Sequence, residues 1–426
     1  MRREELCQEL RAPFTKERGY GVAKTKDPAF ANIWFVVPPP PPAVLPRDLP
    51  VAAVRRANRA LNSLKSFGDM DEVDRTVNYL FVRREALQSS RMEGTWSTID
   101  HVLTPRDAYV AKRGKDEHQS IRGYAAALEK LSARTLREQE GIFTEKTVCQ
   151  IHREIMAKDP AFRGFPGVLR APKQAGSVVF IGGQLRPESS IYNPAPPERV
   201  KICLASVLEW LRDADLAQAG DAGVGGFSLP VRLAISHACF EAVHPFNNGN
   251  GRVGRALWPL QMICAGHMPV YLSGFVEMER DTYGRALQAA QKQLKFGPIV
   301  EFIAEAIELS AKEASITKAA ALGLVGRWRE RAKFRAKSAS ERALDVLLKQ
   351  PIMTAALLVR ELKISKQAAS VAIQQLVERG VIAEREKAGK THVYAAEELI
   401  ALLSREFGAD AELAMQSGRA KLTGLG

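Results

Sequence analysis

The sequence predicts a mainly helical protein: a helical core with one β-hairpin, followed by a small domain of three helices and two strands. Three observations predict it. Apolar residues recur at helical spacing over Val73–Leu87, Tyr124–Leu136, Val200–Leu211 and Leu229–Val243. One short β-prone run, Val178–Ile181, follows the Gly- and Pro-containing stretch that begins at Gly164. Beyond Ser338, short helical patterns broken at Pro351 and Gly380 precede two strand-like segments flanking the charged turn Glu384–Lys390.

Taken in order, residues 1 to about 50 read as irregular. The run Pro38–Pro42 forbids helix and favours an extended polyproline arm. It suits either a ligand for an SH3-type domain or a stiff strap over the protein's own surface, and the strap is the simpler reading. Residues 50–310 read as the helical body, with the hairpin at Gly164–Ile181 projecting from it. The glycines at Gly220–Gly226 lack a following Gly-Lys-Ser/Thr and read as a surface linker rather than a phosphate loop. Residues 313–337 predict a basic helix in which Arg327, Arg329, Arg331, Lys333, Arg335 and Lys337 have only Glu330 as a nearby acid. The expected domains are an N-terminal segment at 1–110, a core at 111–312, and a basic helix with a small C-terminal domain at 313–426.

Composition narrows the setting. Of the 426 residues, 46% are hydrophobic and 26% charged, an ordinary balance for a soluble globular protein. No apolar run approaches the ~18 residues of a membrane span, and the start MRREELCQEL has no apolar core. A cytoplasmic protein with no membrane partner is expected. The five cysteines, Cys7, Cys149, Cys203, Cys239 and Cys264, form no CxxC, so reduced buried thiols are expected rather than disulfides or a zinc site. A net charge of +13 favours polyanionic partners without choosing among them.

The chemistry concentrates in HPFNNGNGRVGR, His244–Arg255. It places a histidine at the end of the apolar helix Leu229–Val243, then a Gly-Asn-Gly turn that opens the next helix. Glycines let a ligand approach the backbone closely, and the unpaired N–H groups of a helix start attract anions. Arg252 and Arg255 are three apart, so they share one helical face and can grip one polyphosphate. His244 beside that cradle has the right basicity to take a proton from an incoming hydroxyl. His237, seven residues earlier, could suggest a metal pair, but a packed histidine is the simpler reading.

This segment resembles the signature of the Fic family, HPFx(D/E)GNGRxxR. The similarity extends to SHACFEAVHPF upstream, to GFPGVLR with VVFIGG, and to YNPAPPERV, covering roughly residues 80–310. The resemblance implies a Fic-type helical core whose β-hairpin is a flap, about Leu169–Gly182, that aligns a target segment. It implies a protein adenylyltransferase that moves AMP from ATP to a Ser, Thr or Tyr hydroxyl of a target protein. His244 would be the general base. Gly249, Asn250 and Gly251 would hold the α- and β-phosphates, Arg252 and Arg255 would neutralise the β- and γ-phosphates, and Phe246 would anchor the loop. Tyr283 resembles an aromatic beside the adenine, with core packing as the alternative. Magnesium is the implied metal. Here, however, Asn248 replaces the usual acid, and a hard cation prefers charged oxygen. Weaker metal binding and slower transfer are therefore expected.

SSRMEG, Ser89–Gly94, fits the family's inhibitory pattern, and the resemblance implies that Glu93 pairs with Arg255 and restrains ATP. The segment from Ser338 to about Leu403 looks like a winged helix-turn-helix. Its reading helix would be Ser365–Arg379, with Lys366, Gln367 and Ser370 near bases or phosphates and Lys387 and Lys390 in the wing. The rival reading is a DNA-binding transcriptional regulator whose degenerate Fic core senses nucleotide without transferring it. Oligomeric state, a homodimer included, is left open.

Overall fold

The computed structural model describes residues 1–105, 118–182, 187–216, 227–388 and 391–423. Gly220–Gly226, Lys390 and the side chain of Lys387 lie outside the described residues. By contact the chain forms two compact units that do not follow chain order. Met1–Asp69 packs with Ala126–Ala311, and Met70–Ala125 packs with Lys312–Gly426. Among the described residues no helix is long and apolar enough to cross a membrane.

The first unit is built around the helix Leu229–Val243, in which all 15 residues are buried. A helix apolar on every side needs neighbours all round. It has them in the helices Val51–Asn62, Val200–Arg212, Asn250–Cys264 and Arg280–Gln293. The helix Glu145–Met156, capped by the Thr144 hydroxyl accepting from Thr147 N, packs on Asn250–Cys264.

Residues 1–50 are more ordered than expected. Gly21–Ala23 pairs antiparallel with Phe35–Val37. Leu6, Leu10, Val22 and Val36 form a small core with Tyr192 and Ala242. Widely spaced apolar residues in an irregular stretch carry no periodicity, so only the fold reveals that they share one patch. The prolines follow directly, and Trp210 Nε1 donates to Pro42 O at 3.1 Å, which makes the run a strap over the helix Val200–Arg212. Among the described residues the hairpin is represented by one antiparallel bridge between Ile181 and Tyr192, later in the chain than expected. Residues 164–180 instead run through turns, with Gly167 and Gly176 at φ +78° and +70°.

In the second unit, the helices Ala339–Lys349, Ala355–Leu362 and Lys366–Glu378 pack on one another, capped by Ser338, Thr354 and Ser365. A three-stranded sheet follows in the order Ile352–Met353, Thr391–Ala395, Ala383–Ala388. The basic helix differs from expectation at both ends: it runs as one helix from Gly297 to Ala332. Three of the expected cations are also partnered. Arg327 meets Glu412 at 3.3 Å, Arg329 meets Asp345 at 2.5 Å and Arg331 meets Glu398 at 2.8 Å. Those acids lie 16 to 85 residues away in sequence, beyond the reach of local charge counting.

A buried charge triad ties the second unit together. Glu313 accepts from Arg84 at 3.0 Å and pairs with Arg405 at 2.7 Å, all three side chains being at most 9% exposed. Glu313→Ala leaves two guanidiniums without their counter-ion. It is expected to destabilise this unit by about 3–5 kcal/mol, measured as a shift in the urea unfolding midpoint.

Candidate active site

His244 ends the helix Leu229–Val243 in a left-handed conformation, φ 51° and ψ 64°. Few residues other than glycine adopt this conformation unaided. The arginine of the GFPGVLR segment holds it in place. Arg170 Nε donates to His244 O at 2.8 Å, and its terminal nitrogens donate to Val243 O at 3.0 Å, Ser177 O at 2.9 Å and Ala195 O at 2.8 Å. Its backbone N–H donates to Pro245 O at 2.9 Å. Burial pushes the guanidinium down to about 9, which still leaves it charged at neutral pH.

The loop after His244 closes on itself. Asn250 Oδ1 accepts from Phe246 N at 2.9 Å, and Asn250 Nδ2 donates to Phe246 O at 2.8 Å. Both ends of the Asn250 amide are therefore occupied, and what it offers a ligand is its backbone N–H. The helix opens at Asn250, so the N–H groups of Asn250 and Gly251 precede the first intrahelical bond, Val253 N to Gly249 O. Gly249 sits at φ +77°, where a Cβ would lie 2.6 Å from Met156 Sδ. Only glycine fits there.

Phe246 is fully buried, with its ring stacked on His152 at 3.8 Å and 1°. His152 Nδ1 accepts from Gly167 N at 2.7 Å, which places its proton on Nε2, and Nε2 donates to Asn248 O at 3.0 Å. This neutral imidazole joins the turn at Gly167 to the loop at Asn248. Burial holds it down at about 4.

Glu241 stands one helical turn before His244, 7% exposed, with Oε2 3.5 Å from His244 Nδ1. Burial alone would raise its carboxyl. The His244 side chain, with the His237 ring and the charge of Arg255, outweighs that and holds it below the ordinary range. A carboxylate facing Nδ1 leaves Nε2 as the nitrogen available to a substrate. The His244 side chain is 18% exposed, so a ligand can reach it. A Cβ at Gly254 would lie 2.9 Å from Glu241 Oε1 and 3.0 Å from the His237 ring, so the third glycine of the segment makes room for both.

Both motif arginines are 2% exposed. Arg252 donates to Asp159 Oδ2 at 3.0 Å, a partner well upstream in the chain. Tyr283 packs in the core: its hydroxyl lies 2.6 Å from His237 Nε2 and its ring 5.6 Å from that of Phe302. This settles His237 as a packed histidine, held down at about 4 by burial. Asn248 Oδ1 accepts from Gly249 N at 2.6 Å, so its one neutral oxygen is already engaged. Among the described residues no three His, Cys, Asp or Glu side chains gather as a metal site. The residues present do not fit a magnesium ion held by a protein carboxylate.

Fold and site together define a helical protein in which a histidine at a helix end adjoins a glycine-lined helix start. Comparison with known proteins gives that class a name. Residues 142–262 match the Fic/DOC family and residues 51–130 match the Fic/DOC family N-terminal region. It is 28% identical over 220 residues to a protein adenylyltransferase Fic of Culex quinquefasciatus, covering 51% of this chain and 38% of that one. It is 30% identical over 196 residues to a protein adenylyltransferase of Caenorhabditis briggsae, covering 46% and 33%. The match thus spans between a third and two fifths of the length of these relatives. A Fic family protein from Desulfovibrio desulfuricans G20 shares the fold, with a TM-score of 0.50 at 19% identity, covering 84% of this chain and 98% of that one.

Sequence reasoning named His244, Gly249–Arg252 and Arg255, and did not name Arg170, His152, Glu241 and Asp159, which the fold brings against them. Glu241 alone left a local signal, a carboxylate three residues before the histidine in an otherwise apolar helix. The two buried histidines give the fold an acid-sensitive window. Each is held at about 4 against an ordinary value of 6.5, so the unfolded chain binds the extra protons between those pH values. Stability is expected to be full above about pH 6.5. It should fall as pH drops toward 4, by up to about 1.4 kcal/mol per pH unit for each histidine. Urea midpoints across that range measure it, and His152→Gln should flatten the slope.

Proposed function

We propose that the chain transfers AMP from ATP to a hydroxyl side chain of another protein. The observation that carries this reading is the placement of His244. Its ring sits at a helix terminus with Nδ1 turned to Glu241, immediately before a helix start whose N–H groups accept an anion. In the proposed step, the target oxygen attacks the α-phosphorus. The bond from that phosphorus to the bridging oxygen of the β-phosphate breaks, and pyrophosphate leaves with the electron pair. His244 Nε2 takes the hydroxyl proton. The N–H groups of Asn250 and Gly251 meet the α- and β-phosphates, and Arg252 and Arg255 offset the charge of the leaving group. Asp159 sets the pose of Arg252. The names of the curated relatives support this reading.

The brake is part of the same proposal. Glu93 ends the helix Glu72–Met92, and Ser89 and Ser90 just before it are buried. Glu93 would restrain ATP by competing for Arg255. The test is incubation with ATP labelled at the α-phosphate. His244→Ala is expected to lower label transfer by at least about a hundredfold, and Glu93→Gly to raise it. Unchanged labelling in His244→Ala would remove the transfer reading. Asn248→Asp should raise the rate when magnesium is present, because the second carboxylate oxygen is free to meet a cation while the first keeps the bond to Gly249 N.

A second reading concerns the C-terminal unit, where the order of helices and strands supports a winged helix-turn-helix. Lys366, Gln367 and Ser370 stand exposed at the start of the helix Lys366–Glu378, on the surface a major groove would meet. Binding of duplex DNA is expected to weaken steeply with added salt and to be lost in Lys366→Glu. Mobility shifts at two salt concentrations measure it, and a DNA shift with no label transfer would favour the regulator over the enzyme.

A further inference from the structure

Between the N-terminal strand pair and the helix Val200–Arg212 lies a cleft of about 460 Å³, lined by none of the residues assigned above. One wall is apolar and stiff, made of Val37 and Pro38–Pro40. Proline has no backbone N–H and holds its extended form without hydrogen bonds, so this wall stands ready before any ligand arrives. Ile202 also lines the cleft and is 62% exposed.

The charged lining is one-sided: Lys16, Arg18 and Arg199, with no carboxylate. The Arg199 guanidinium lies over the Phe14 ring at 4.2 Å, and that of Arg18 lies over Tyr20 at 4.5 Å. Stacking fixes each plane; Arg18 spends one terminal nitrogen on Glu9 O, and the edge of Arg199 is left able to fork onto an anion. Among the described residues none of the three cations makes an ion pair with a carboxylate. The volume falls within the range of small-molecule sites.

We propose that this cleft binds a small amphiphilic anion, an aliphatic or aromatic carboxylate. Its apolar body lies between Ile202 and the proline wall, and its carboxylate meets Arg199 and Lys16. A cation of the same shape would be repelled, and a neutral one would leave the guanidinium edges without an acceptor.

Titration calorimetry of the full chain with decanoate, and with decyltrimethylammonium as a cation of equal length, tests this. Decanoate is expected to saturate at one molecule per chain and to bind at least about tenfold tighter than the cation. Arg199→Gln should weaken decanoate about tenfold, the loss of one charge-assisted hydrogen bond. Ile202→Glu changes an already exposed residue and sets a carboxylate against the ligand's own. It should abolish binding with an unchanged thermal midpoint, and it decides the matter if Arg199→Gln fails to fold. No saturable heat with decanoate, equal uptake of both head groups, or undiminished affinity in Ile202→Glu would each overturn the proposal.

Discussion

The arrangement at His244 depends on one buried guanidinium. Among the described residues Arg170 makes no ion pair, with Glu198 acting on it only at longer range; its donors are spent on carbonyl oxygens, two of them from the end of the helix Leu229–Val243. Carbonyls at a helix C-terminus lack intrahelical donors and carry the negative end of the helix dipole, so a cation there satisfies groups the helix cannot. Four such bonds offset the cost of taking the charge out of water. What they hold is the left-handed turn at His244, which sends the chain back toward Phe246 instead of extending the helix. The same side chain also reaches Ser177 and Ala195, so the loops flanking the Ile181–Tyr192 bridge are anchored to the His244 turn by one residue.

A second layer works the same way with neutral groups. His152 lies between Gly167 N and Asn248 O, and Asn250 brackets the backbone of Phe246. In each case a side chain satisfies main-chain polar groups of a loop that makes no ladder of its own. A loop so held does not need to reorganise when a polyphosphate arrives, which is the condition under which fixed dipoles favour a transition state. The cost falls on side chains that cannot then bind ligand. Asn250 is the clear case: its amide, expected to meet phosphate, is consumed in shaping the loop.

This division of labour explains what the sequence could reveal. His244, the glycines and the two arginines lie within twelve residues, so spacing alone assembles them. The helix Leu229–Val243 was equally plain, because apolar residues on every face have only one use. Arg170, His152 and Asp159 reach the site across 74, 96 and 93 residues, and no local pattern distinguishes them from surface groups. Leu6, Leu10, Val22 and Val36 were hidden for a similar reason: their common patch exists only once Tyr192 lies beneath them. The C-terminal helices were legible to within two residues from their spacing and from the breaks at Pro351 and Gly380; Ser338, Thr354 and Ser365 cap their starts, each hydroxyl accepting the N–H three residues on.

The same reasoning bears on Asn248. Its one hydrogen bond in the loop, to Gly249 N, needs only an oxygen at that position, and aspartate would supply it equally well. Loop shape therefore does not require asparagine; the difference lies in charge. With an acid there, part of the positive field of Arg252 and Arg255 would be cancelled unless a cation restored it. With asparagine, Arg252 is already balanced by Asp159, and Arg255 stands near Glu241 at a helix start that itself favours anions. On the proposed reading the site would keep its attraction for a bare polyphosphate and give up its grip on a hard cation. A neutral residue at this position would then shift the task of neutralising the leaving group from a bound ion to the protein's own guanidiniums, which are fixed in place and always charged.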